Sequence, residues 1–238
     1  MIRAVTFDLW NTLLCDRHYA DFRIEVLRRI LDTENSSKDR ESIRIQYVAA
    51  IRHFNEAWRR KRDQQYISAT KVVEFVLRNL GAELSPNSKN TVVKGFEEAI
   101  LSAPPPLLNG VEAVLKSLSR RYRIGLISNS GVTPGRVLRR VLDSHAILQH
   151  FGCATFSDEV GYTKPNPIIF RRTVEELHVN PNEAIHVGDL IETDIVGAKS
   201  IGMKTVWFNT SEAGLKWDEF RFQPDYQKRD LPQLLKFL

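Results

Sequence analysis

Seven residues in four short segments have side chains suited to a ligand site. Asp8 and Thr12 follow the apolar run "AVTF", and Ser128 and Asn129 follow "RIGLI". Lys164 lies in "GYTKPNP", and Asp189 and Asp194 lie in "VGDLIETD" after "AIHV". Carboxylates, an ammonium group, a hydroxyl and an amide are groups that bind anions and cations. A single aspartate after a strand is ordinarily a cap or turn residue. Four polar strand ends in order are a different matter, because ligands of open parallel sheets sit at the carboxyl ends of the strands.

Those strands need a sheet, and the chain supplies one in alternation with helices. The first strand, near residues 3–9, is apolar on both faces, as a strand covered on both sides must be. From residue 111 on, helical stretches with apolar spacing alternate with "YRIGLIS", "CATFSD", "AIHVGD" and "KTVWFN". The spacing predicts a Thr133-capped helix opening at Pro134 and another from Pro167. The end, "PDYQKRDLPQLLKFL", reads as a short strand and a helix capped by Asp230. Such alternation builds a Rossmann-like α/β core, a parallel sheet flanked by helices.

Between the first strand and that pattern lie four amphipathic stretches. Phe22 with Val26, and Ile24 with Leu27 and Leu31, mark the first; Tyr47, Ile51, Phe54 and Trp58 mark the second. Val72, Val73, Val76, Leu77 and Leu80 mark a third that stops at Gly81, and Val92, Val93, Phe96 and Ile100 a fourth behind Ser85 and Pro86. Four such stripes in succession can be buried only against one another, which predicts a helical bundle. The expected organisation is a core of residues 1–15 and 103–238 with a four-helix cap domain, 16–102, inserted after the first strand. The "PPP" at 104–106 stiffens the return.

Composition narrows the function classes. The formal net charge of +5 and the run "WRRKRD" read as solvated helix faces, since no motif interleaves aromatic and basic residues for nucleic-acid readout. No apolar run approaches the roughly 20 residues of a membrane span. The strand beginning at the N-terminus leaves no room for a signal peptide, and Cys15 and Cys153 are isolated thiols. A soluble protein of the reducing cytoplasm is expected.

The order and spacing of Asp8–Thr12, the Ser128 loop, "TKPNPIIF" and "HVGDLIETDIVGAKSIGM", with a helical insertion after the first motif, resemble the haloacid dehalogenase superfamily. The resemblance implies a hydrolase, in most members a phosphatase. It assigns Asp8 as the nucleophile that forms a covalent aspartyl intermediate. Ser128 and Lys164 hold the transferring group, with Thr12 and Asn129 beside it. Mg²⁺ is bound by Asp8, Asp189 and the backbone carbonyl of Trp10, with Asp194 orienting metal waters or Lys164. The partner implied is a small anionic, phosphorylated substrate.

Trp10 departs from the phosphatase pattern, which has a second aspartate there to protonate the leaving alcohol and activate water. Indole offers only an N–H donor. The L-2-haloacid dehalogenases of this family have an aromatic residue at that position and use no metal, so dehalogenation is the alternative expectation. Under it, Arg17, Arg23 and Arg40 are candidates for a substrate carboxylate, although Phe170 stands where those enzymes have tyrosine. A protein that binds a phosphorylated ligand without turnover is the third. Asp189 beside Asp8 favours metal-dependent phosphoryl chemistry. His186 reads as a core histidine, Cys15 and His18 lie near the hinge, and Gly188 is expected to give Asp189 room to turn.

Overall fold

The computed structural model describes residues 1–60, 66–209 and 222–238, with the side chains of 57–60 outside the description. Trp58 and the basic run 59–62 therefore lie outside the described side chains. The core is a parallel sheet of β1 (Ala4–Phe7), β2 (Arg123–Ser128), β3 (Cys153–Phe156), β4 (Ala184–Gly188), β5 (Lys204–Phe208) and β6 (Tyr226–Lys228). Its order is β3-β2-β1-β4-β5-β6. β1 thus lies between β2 and β4, with Phe7 in register with Leu126 on one side and Val187 on the other. The chain reverses its direction of winding beside β1, which is where such sheets open a crevice at their carboxyl ends.

Both faces of the sheet are covered. Val5, Phe7, Leu126 and Val187 pack with α5 (Val111–Leu118) and α6 (Gly135–Ser144) on one side. On the other, Ala4, Ile127 and Ala184 pack with Phe170 and Val174 of α8 (Pro167–Glu176), beyond the short α7 (Ser157–Val160). Full burial of each such Leu, Val or Phe contributes about 1.5–3 kcal/mol. α9 (Val196–Ser200) approaches α8 closely because Gly197 has no side chain: a Cβ there would lie 2.2 Å from the Phe170 ring.

The inserted unit comprises α1 (Ala20–Thr33), α2 (Arg40–Arg60), α3 (Ala69–Leu80) and α4 (Pro86–Glu98). α1 and α3 each pack on both α2 and α4. Their stripes form a separate apolar cluster around Ile24, Leu27, Tyr47, Val73 and Phe96. Gly81 ends α3 in the left-handed conformation (φ 57°), and the Ser85 hydroxyl caps α4 through the Ser88 N–H. The two links to the sheet pair with each other. Cys15 N–H donates to the Pro106 carbonyl (3.0 Å) and Leu108 N–H to the Leu13 carbonyl (2.8 Å).

Two expectations fail here. On α1 the buried face carries Arg23, Ile24, Leu27 and Leu31, while Phe22 is exposed. Arg23 is drawn inward because its polar end finds acceptors, whereas Phe22 points a helical step away. Thr133 does not cap α6: Pro134 occupies that position without a side-chain bond, and the Thr133 hydroxyl accepts from Arg23 instead.

Candidate active site

The C-terminal ends of β1, β2 and β4 meet the helical unit around a cavity of about 340 Å³. Asp8 is held at its floor. Its N–H donates to the Val187 carbonyl (2.9 Å), carrying the β1–β4 ladder one residue past the strand. The chain then turns back, with Leu14 N–H on the Leu9 carbonyl (2.9 Å) and Asn11 at φ 54°. That turn puts the Thr12 hydroxyl 3.2 Å from Asp8 Oδ2, to which it donates.

Lys164 is fully buried in the loop after α7. Its ammonium donates to Asp8 Oδ1 and to Asp194 Oδ1, the latter at 2.6 Å. Asn129 braces that loop with both ends of its amide, accepting from Lys164 N–H (2.7 Å) and donating to the Lys164 carbonyl (3.4 Å). Burial opposes a charge on Lys164, but the Asp194 and Asp8 carboxylates outweigh it and hold the ammonium above its ordinary pKa.

Asp194 sits in a π-helical turn, Ile191–Ile195, that follows β4. Its Oδ1 also meets His186 Nε2 (3.1 Å), and its Oδ2 accepts from Leu190 N–H (3.1 Å) and the Thr193 hydroxyl (3.3 Å). Burial pushes its carboxyl up, but Lys164 and His186 override this and hold it well below the usual range. His186 is buried and bonded on both sides, with Thr6 Oγ1 2.9 Å from Nδ1, so it belongs to this network and does not line the cavity that holds Asp8. Burial depresses its pKa.

Gly188 serves a purpose other than the one expected. A Cβ on it would lie 2.4 Å from Asp194 Cγ, so the missing side chain makes room for Asp194 rather than freeing the backbone before Asp189.

Asp189 differs from Asp194. Its backbone is fixed, its carbonyl accepting from the Trp207 indole at 2.8 Å. No salt bridge reaches its carboxylate among the described residues, and burial together with the Asp8 carboxylate raises its pKa to about 7. Asp8 is likewise raised to about 6, burial outweighing the attraction of Lys164. Ligand oxygens of Asp8, Asp189 and Asp194 all lie within 4.8 Å of one another.

Of the anticipated residues, Asp8, Trp10, Asn129, Lys164, Asp189 and Asp194 line the cavity. Thr12 and Ser128 lie behind the wall, and the Ser128 hydroxyl is buried without a partner among the described residues. Cys15 and His18 do not reach it. The wall also includes Asn11, Asp16, Arg17, Tyr19, Arg23 and Thr133. For Asn11, Asp16 and Tyr19 the available signal was position, since they fill the link between Asp8 and α1. Arg40 is engaged elsewhere, on the surface with Asp21.

A sequence model of haloacid dehalogenase-like hydrolases matches residues 2–202. Glyceraldehyde 3-phosphate phosphatase of Pyrococcus furiosus is 31% identical over 167 residues, covering 69% of this chain and 68% of that protein. The crystal structure of a HAD phosphatase from Thermococcus onnurineus superposes with a TM-score of 0.69 at 25% identity, over 99% of this chain and 97% of its own. A 2-haloacid dehalogenase from Pseudomonas syringae gives 0.73 at 23% identity over the same shares, a likeness of fold alone. With its strand-end aspartates and lysine gathered on one cavity and its sequence matched over most of its length, the chain belongs to the haloacid dehalogenase-like hydrolases.

Proposed function

We propose that the chain is a Mg²⁺-dependent phosphatase that moves the phosphoryl group of a small phosphorylated metabolite first to Asp8 and then to water. The observation that carries this reading is the gathering of Asp8, Asp189 and Asp194 within 4.8 Å. A hydrolase working through one carboxylate alone has no use for a second beside it, because each raises the other's proton affinity. The similarity to a protein named as a phosphatase supports the same reading.

The donor set fits a hard dication, which takes carboxylate and main-chain oxygens. Asp8, Asp189 and the Trp10 carbonyl would hold it, the carbonyl receiving no N–H donor among the described residues. Asp194, with both oxygens engaged, would orient Lys164 instead. When bound, Mg²⁺ neutralises the clustered carboxylates and the phosphoryl oxygens so that one anion can approach another.

An Asp8 oxygen attacks phosphorus, the bond from phosphorus to the ester oxygen breaks, and the leaving group departs with the electron pair. Lys164, fixed beside Asp8 by Asp194, balances charge on the transferring group. Water then attacks phosphorus of the acyl phosphate, the phosphorus–oxygen bond to Asp8 breaks with its electron pair returning to the carboxylate, and the water's proton leaves with the released phosphate. The buried, unpartnered Ser128 hydroxyl is a spare donor at the same strand end. The helical unit acts as a cap that shields the reaction from solvent and selects substrate.

Trp10 lines the cavity but can neither protonate a leaving alcohol nor deprotonate water. Acid–base assistance is worth ~10²–10⁴-fold, so aryl and acyl phosphates, which leave as stable anions, should react best. Trp10 is also the observation that favours a second reading, dehalogenation, since halide leaves without a proton.

The test is hydrolysis of an aryl phosphate at neutral pH with Mg²⁺ or with chelator. Turnover should require the metal, and Asp8→Asn should lower kcat at least about 10³-fold. Turnover that survives either change overturns the reading. Chloride release from a 2-haloacid without metal would establish the dehalogenase. Tight phosphate binding with neither activity would leave a binding protein.

A further inference from the structure

Arg23 carries a positive charge that no carboxylate in the described protein balances. It projects from α1, is only 9% exposed, and reaches the wall of the cavity that holds Asp8. Nε donates to the Phe96 carbonyl (2.9 Å), Nη1 to the Tyr47 hydroxyl (3.1 Å) and Nη2 to Thr133 Oγ1 (3.1 Å). All three acceptors are neutral, and no ion pair reaches Arg23 among the described residues. Burying a charge is costly, and buried arginines are ordinarily matched by an anion.

Guanidinium has five N–H donors, and three are engaged, leaving one on each terminal nitrogen. Two donors on one planar fork suit the two oxygens of a carboxylate. The fork is also fixed in advance, since α4, α2 and the loop after β2 each hold one nitrogen, so little ordering is lost on binding. The remaining cations are less suited. Lys164 is bound by Asp8 and Asp194, Arg40 is paired with Asp21 on the surface, and Arg17, though it lines the cavity, is exposed to water that screens it.

We propose that Arg23 is the seat for a second anionic group on the substrate, so that the protein acts on small phosphorylated carboxylic acids in preference to neutral phosphate esters. This deepens the phosphatase reading and rests on it. The cavity of about 340 Å³ suits a small molecule that spans from Asp8 to Arg23. Thr133 belongs to the sheet side and Tyr47 and Phe96 to the helices, so the seat is built from both parts and is already assembled before a ligand binds.

The probes are 3-phosphoglycerate and glycerol 3-phosphate, which share a skeleton and an alkyl phosphate and differ by a carboxylate in place of a hydroxymethyl group. Binding is measured by calorimetry to the full chain with Asp8→Asn in the presence of Mg²⁺, so that turnover does not interfere. The acid should bind about 10- to 100-fold more tightly, the range for a charge-assisted hydrogen-bonded pair. The preference should persist with Arg17→Gln added and fall towards unity with Arg23→Gln added.

Equal binding of the two probes overturns the proposal, as does loss of the preference with Arg17→Gln or its retention in a folded Arg23→Gln protein. Should Arg23→Gln fail to fold, the parent preference and the Arg17→Gln result still decide. Aryl phosphate hydrolysis, which involves no second anion, reads the phosphatase assignment separately. Turnover without discrimination, or with no binding of the acid, removes only the Arg23 seat. Discrimination without turnover removes the phosphatase and leaves the seat.

Discussion

The sheet end and the helical unit face the same cavity but are built differently. Around Asp194 the bonding is closed: Lys164, His186, Leu190 N–H and Thr193 converge on its two oxygens. Across the cavity Arg23 is as firmly held, by three neutral acceptors, yet keeps its charge and two donors unmatched. Asp189, at the sheet end, is likewise unmatched. Closed bonding fixes a geometry before anything binds, and open valence marks where something must. Under the proposed function, the difference separates groups that position the reaction from groups that receive ion and substrate.

Changing what faces the ligand should have the largest effect. Trp10→Asp supplies the acid–base carboxyl that the proposed reaction lacks and should raise kcat/KM for glycerol 3-phosphate by about 10²–10⁴-fold, followed by phosphate release. No gain would place Trp10 away from the leaving oxygen. Next, Asp194→Ala should cost about 3–5 kcal/mol in urea unfolding without metal, because Lys164 and His186 lose their shared partner. Asp189→Asn, the corresponding loss of a carboxylate nearby, should cost less than about 1 kcal/mol, because no salt bridge is broken and a repulsion is relieved. It should instead abolish the rise in Tm on adding Mg²⁺. Equal losses from the two substitutions would break the comparison.

A pH effect follows from the same contrast. Asp8 and Asp189 hold protons to about 6 and about 7 in the metal-free protein, above their values in an unfolded chain. Between those limits the folded state binds more protons, so metal-free stability should fall as pH rises from about 4 to 7. Mg²⁺ competes with those protons, so its stabilisation should be greater at pH 8 than at pH 5 in paired thermal melts. The smallest effect belongs to the exposed pair Arg136–Glu97 between α6 and α4, where Arg136→Ala should cost less than about 1 kcal/mol and less still in high salt.

The strands, the helix caps at Ser85 and Asp230, and the cluster of Asp8, Lys164 and Asp189 were legible because each rests on local chemistry or short-range period. Apolar runs name a strand, and the polar residue that ends one lands at the sheet's edge. The failures share a cause. Arg23, Leu27 and Leu31 stand at i, i+4 and i+8, a spacing that could have placed Arg23 on the inner face. An apolar phenylalanine next to it was the natural choice until distant acceptors were known. Thr133 has the composition of a cap, yet Arg23, 110 residues earlier, claims its hydroxyl. Gly188 read as room for Asp189 to turn because nothing in the sequence says that Asp194 folds back over it. Local pattern yields which residues gather, and only tertiary packing decides what each one touches.

The row from Thr6 through His186 to Asp194 has a directional consequence. A carboxylate only accepts, so the His186 proton must sit on Nε2, and the bare Nδ1 must take the hydrogen of the Thr6 hydroxyl. With burial keeping the ring neutral, one tautomer is selected out of two. In a ¹⁵N-labelled sample this imidazole should show a single Nε2–H resonance, sheltered from solvent exchange by complete burial. Lying one bond from the carboxylate that steadies Lys164, that resonance is a built-in spectroscopic probe of the candidate site, carried by a residue that does not line the cavity.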